Sequence, residues 1–153
     1  MELFRMPVLD IVHDEDPADR IFDNAGDLDD FEVFNSNVLV GVYLRDGDGK
    51  KEAKTKGGLI VPNAVTNEDK FQSKMGVILN MGPSAFRDPN GQWFADSEFT
   101  IGDWVVFRPS DGWGLTLVSY DGEGRRRELL CRLIDDVAVR MRVLGPTPAD
   151  RVY

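Results

Sequence analysis

Apolar residues in this chain come in short runs, and each run is closed by a glycine-rich turn. "NVLVGVYLR" puts Val38, Val40 and Val42 on one side and Leu39, Gly41 and Tyr43 on the other. That is the two-residue period of a strand. "SKMGVILNMG" (73–82) predicts a second strand centred on Val77, Ile78 and Leu79, and "FTIGDWVVFRP" a third over Trp104 to Phe107. "GWGLTLVSYDGEGRRRELLCRLIDDVAVRMRV" predicts two or three more, the last over Val137 to Val143. Asp88-Pro89-Asn90-Gly91 is a strong turn signal, and Asn-Gly between Phe86 and Trp93 predicts a hairpin tip. No segment carries a sustained helical period. About six short strands with glycine turns predict a small, all-β, mainly antiparallel barrel or sandwich.

At 153 residues the chain is long enough for one domain with a real core, and 42% apolar residues suit a folded protein. No apolar run approaches the roughly 20 residues of a membrane helix. The N-terminal sequence is acidic and lacks a secretory pattern, so a cytoplasmic location is expected. Cys131 is the only cysteine, which excludes an internal disulfide, and its setting in "ELLCRLIDD" predicts a small core residue on a strand. His13 is the only histidine and has no partner for catalysis in the sequence. Asp135 and Asp136 are adjacent in a predicted strand, so their side chains diverge. No phosphate loop, metal-ligand cluster or nucleophile constellation appears. The expectation is a protein that is not an enzyme and holds no cofactor or metal.

Charge is distributed unevenly. Met1 to Phe34 holds Arg5 and Arg20 against eleven acids, a net of −9, and the remainder balances to zero. Nucleic acid is not expected as a partner, because phosphates would be repelled by that segment and meet no basic face elsewhere. Residues 1–34 therefore read as an acidic N-terminal extension of low order, with only its "LDDFEVF" end expected to pack. Residues 35–145 read as the folded domain. Pro146 and Pro148 end it, leaving a tail over 146–153.

One stretch does not fit a simple strand pattern. "KKEAKTKGGLIVPNAVTNEDKF" is polar and lysine-rich, yet Leu59-Ile60-Val61 stands bare in its middle. On the residues alone, that tripeptide reads either as a buried strand or as a docking motif. Gly57 and Gly58 allow backbone angles that other residues avoid, and Pro62 holds Val61 extended.

Taken in order, Gly57-Gly58-Leu59-Ile60-Val61, Gly76-Val77-Ile78-Leu79-Asn80-Met81-Gly82, Ile101-Gly102-Asp103-Trp104-Val105-Val106-Phe107 and Asp135-Asp136-Val137-Ala138-Val139 resemble the GroES-type co-chaperonins over about 37–143. The resemblance implies a GroES-like β-barrel with a mobile loop over about 46–72 and a roof hairpin over about 84–98. It implies a ring, heptameric in that family, that caps an ATP-driven GroEL-type chaperonin and encloses a folding substrate protein. ATP would be bound by the chaperonin. Gly57, Gly58, Leu59, Ile60 and Val61 would make the contact. Burying three such aliphatics yields roughly 5–9 kcal/mol. Ordering a dozen free residues costs about 12–24 kcal/mol. One loop alone then binds weakly, and several loops on a ring bind tightly.

The chain departs from the family in its long acidic extension, in "PSDGWGL" where bacterial members carry Tyr-Gly, and in its post-loop sequence. These departures point to a divergent member of the kind a bacteriophage encodes, acting in the host bacterial cytoplasm. The alternative expectation is a structural or virion assembly protein built on the same barrel without a chaperonin partner.

Overall fold

The structure is a computed structural model, and it describes residues 16–44, 74–95 and 97–152. It is mostly β. Among the described residues six strands form one antiparallel sheet: β1 (Asn37–Val42), β2 (Met75–Met81), β3 (Trp104–Val106), β4 (Trp113–Tyr120), β5 (Arg126–Asp135) and β6 (Met141–Val143). Their order across the sheet is β4-β5-β1-β2-β3-β6, so β1 and β2 lie at its centre and β4 and β6 at its edges. One short helix, α1 (Pro17–Ala25), precedes them.

The alternation read in β1 is realised on both faces of the sheet. Val38, Val40 and Val42 join Ile78, Val105, Phe107 and Ile134 in one buried cluster. Leu39 and Tyr43 join Val77, Leu79, Trp104, Leu117, Leu129 and Cys131 in another. A strand buried on both sides explains why β1 and β2 read as nearly continuous apolar runs. The register of these two strands shifts between Leu39 and Val40, where Leu39 faces Asn80 and Val40 faces Ile78. Beside this irregularity the Asn80 side-chain amide donates to the Phe31 carbonyl at 3.2 Å.

The expectation of low order in the N-terminal extension fails for residues 16–34. Asp16 caps α1 by accepting the Ala18 N–H at 2.8 Å, Pro17 opens the first turn, and Gly26 (φ 74°) ends it. Ile21 and Ala25 are buried in the second cluster. A Cβ on Gly41 would sit 2.5 Å from Ile21 Cγ2, so the helix lies where only glycine in β1 leaves room. At its C-terminal end, the Ser119 hydroxyl donates to the Asn24 carbonyl and Arg127 donates to the Asp23 carbonyl. These bonds satisfy carbonyls that have no partner within the helix. A nine-residue helix with two acids and one arginine gives little sequence signal, because only one narrow side of it is apolar.

Three other expectations are corrected. No strand forms among the described residues of 84–98, so there is no roof hairpin ladder. The Asp-Pro-Asn-Gly turn is present, with the Gly91 N–H donating to the Asp88 carbonyl at 3.0 Å, but side chains hold the segment instead of strand pairing. Val137–Val143 is not one strand either. A 3-10 turn occupies Asp136–Ala138, and β6 begins only at Met141. The chain also remains ordered beyond Pro146: a 3-10 turn at Pro148–Asp150 buries Ala149 against the second cluster.

Candidate functional site

The residues that the sequence singled out for partner contact, Gly57, Gly58, Leu59, Ile60 and Val61, lie outside the described residues. The base of the connection that carries them is described. Val42 faces Gly76 across the β1–β2 ladder, and the Tyr43 N–H donates to the Met75 carbonyl at 2.9 Å. The Phe107 N–H donates to the Lys74 carbonyl at 2.9 Å. The chain thus leaves the sheet at Leu44 and returns at Lys74, on neighbouring strands. A Cβ on Gly76 would lie 2.4 Å from both the Gly41 carbonyl oxygen and Val40 Cγ1, so the two strands meet closely at this point. Beside it, the Tyr43 and Trp104 rings pack edge to face with centroids 5.7 Å apart. Trp104 is therefore a core residue at the foot of this connection.

A second feature is the segment from Ala85 to Thr100. Phe86 and Phe99 stack with centroids 4.0 Å apart, and Phe94 meets both edge-on. The Arg142 guanidinium lies over Phe99 at 4.8 Å, a cation–π contact, and also donates to the Glu98 carbonyl. The Asp88 carboxylate accepts the backbone N–H groups of Trp93 and Phe94. The buried Asp136 carboxylate, just after β5, accepts the Phe86 N–H at 2.9 Å. Phe86 and Ala95 both have positive φ, 59° and 49°, which breaks the extended path a hairpin would need. Trp93 is left pointing outward, 67% exposed. Sequence reading placed the turn. It missed Asp136, because the residue that Asp136 holds lies 50 positions away.

Several carboxylates act as turn caps. Asp103 accepts the Thr100 N–H and Asp111 the Arg108 N–H, while Asp121 accepts those of Glu123 and Arg125. Partial burial raises the Asp111 carboxyl, but hydrogen bonds and charge from Arg108 outweigh it and hold it below its ordinary 3.8. The Arg125 backbone N–H is the main cause that lowers Asp121. Asp136 is buried and Asp135 exposed, so the pair diverges as expected. A cavity of about 20 Å³ opens beside Ile21, Tyr43 and Leu129, room for one water and no more. Among the described residues no three acidic, histidine or cysteine side chains are grouped to hold a metal, and no helix is long and apolar enough to cross a membrane. No protein family, curated protein or solved structure matches the sequence.

Proposed function

We propose that this chain is a GroES-like co-chaperonin: a ring-forming lid that docks on a GroEL-type chaperonin and encloses a folding substrate protein. The observation that carries the proposal is the placement of the connection 45–73. It springs from and returns to adjacent central strands, and its foot is fixed by Tyr43, Gly76 and Lys74. A segment presented in this way can bind a partner without disturbing the sheet. The order of motifs around it supports the same reading. Two buried clusters on one sheet also suit a strongly curved, barrel-like form, with Val38, Val40, Ile78, Val105 and Ile134 as its inner lining.

In this reading Leu59, Ile60 and Val61 enter an apolar groove of the chaperonin, and Gly57 and Gly58 let the chain turn into it. The lysines at 50, 51, 54 and 56 keep the segment solvated before docking. The chaperonin binds and hydrolyses ATP, and the lid has no catalytic site and no cofactor. A ring, a heptamer by resemblance, makes the successive contacts effectively intramolecular. The protein acts in the cytoplasm of the bacterial host.

The second reading, a structural or virion assembly protein on the same barrel, draws support from apolar side chains exposed on both edge strands, among them Trp113, Tyr120 and Met141. A refolding assay separates the two. A chaperonin substrate that refolds only in the presence of a lid should gain yield when this chain is added with ATP, and Ile60→Asp should abolish the gain. No gain with a folded, assembled chain would support the assembly reading.

A further inference from the structure

Among the described residues β4 is an edge strand, paired only with β5. Its sequence, WGLTLVSY, has neither charge nor proline, in a chain that is 29% charged. Its ladder to β5 runs from Trp113↔Leu133 to Tyr120↔Arg126 without a register shift. Natural edge strands usually carry lysine, proline or a bulge, because a bare row of N–H and C=O groups templates pairing with another chain. β4 carries none of these.

The outward row can be assigned. Just beyond Tyr120↔Arg126, the Asp121 N–H donates to the Arg125 carbonyl at 2.9 Å. Hydrogen-bonded and non-bonded pairs alternate along an antiparallel ladder. Trp113, Leu115, Leu117 and Ser119 therefore bond to β5, and Gly114, Thr116, Val118 and Tyr120 turn their backbone groups outward. All four of these residues are exposed. No turn or loop backbone bond among the described residues reaches them.

We propose that a second copy of this chain pairs on β4, strand against antiparallel strand, about a two-fold axis at Leu117. With the axis there, Thr116 faces Val118 of the second copy and Gly114 faces its Tyr120. Every outward-turned residue of the strand then has a partner. Moving the axis to Thr116 or Val118 leaves one end unpaired, and a one-residue slip sets outward groups against inward ones. Thr–Val pairs join two β-branched side chains, and an aromatic ring across from an edge glycine covers bare backbone. No charge within the strand is brought against another. The two-fold axis also sets the Arg108–Asp111 ion pair at one end of the strand beside the exposed Glu123–Arg125 ion pair of the second copy, so each end meets mixed charge of both signs. The contact rests on the described sheet and not on the chaperonin reading.

The test uses the full chain. In a hydrogen-bonded antiparallel pair the Cα atoms stand about 5.5 Å apart, within disulfide range. The Thr116→Cys/Val118→Cys variant, oxidised and then denatured, should therefore run at twice the mass of one chain. Val118→Pro removes an N–H that β5 does not use. It should leave the circular dichroism spectrum unchanged and halve the sedimenting mass. A folded double-cysteine variant that stays at single-chain mass would overturn the proposal. So would a Val118→Pro assembly of unchanged mass. A cross-link formed by Thr116→Cys/Met141→Cys but not by Thr116→Cys/Val118→Cys would replace the two-fold contact with a head-to-tail one, and would also overturn it.

Discussion

Asp136 shows how one side chain can set the path of a distant segment. It is buried, and its carboxylate holds the Phe86 N–H at the start of the aromatic segment. Asp136→Leu strands that N–H, at a cost of about 1–3 kcal/mol. Asp136→Asn keeps an acceptor oxygen and should cost less, and urea unfolding followed by circular dichroism compares the two. Cys131 shows the opposite case, a residue whose environment silences it. Burial pushes its thiol up to about 12, and its sulfur contacts the Leu129 carbonyl. A thiol reagent at pH 8 should leave the folded chain unmodified and label it once urea unfolds it. Prompt labelling of the folded chain would contradict the burial. Cys131 was legible in the sequence, because its strand neighbours alternate around it. Asp136 was not, because a carboxylate that turns inward looks the same in sequence as one that turns out.

At the scale of elements, the strands were legible and the pieces held by side chains were not. β1 and β2 announce themselves by their β-branched apolar runs. α1 depends on a match between Ile21 and the missing Cβ of Gly41, which no local pattern reveals. Gly41→Val should displace the helix while keeping the central strands, read as loss of hydrogen-exchange protection in Pro17–Ala25 ahead of β1 and β2. Equal loss across all three would contradict a separable helix. The expected hairpin over 84–98 failed for a related reason. The turn residues are right for it, but Asp88 captures the N–H groups that a ladder would need, and the phenylalanines pull the chain inward.

The turns at the two ends of β4 make a pH prediction of their own. Asp111 and Asp121 both titrate below 3.8 in the folded chain. As pH falls, the unfolded chain takes up protons first, so the stability these caps add is present above about pH 4 and lost as pH drops through their folded values. Thermal unfolding from pH 7 to pH 3 should show this loss, and Asp121→Asn should flatten it. Both turns are solvent-accessible, so the effect is small and weakens with added salt.

For the whole molecule, the sheet acts as a platform. Its two faces are buried, one of them under α1 and the Pro148–Asp150 turn, and its centre anchors the connection 45–73. The β-rich class was readable from the strand runs, whereas the central position of β1 and β2 came only with the structure, where both strands are apolar on both sides. The proposed partner contact rests on the resemblance of "GGLIV" and the motifs after it, since three aliphatics in a polar stretch have no period to interpret. The most direct test of the co-chaperonin account is co-elution of the purified chain with a GroEL-type chaperonin, with and without ATP or ADP, beside Ile60→Asp. The account predicts a nucleotide-dependent complex for the wild-type chain and none for the variant. A folded, assembled chain that does not co-elute with the chaperonin of its own host in either nucleotide, or an Ile60→Asp variant that co-elutes as well as wild type, would contradict it.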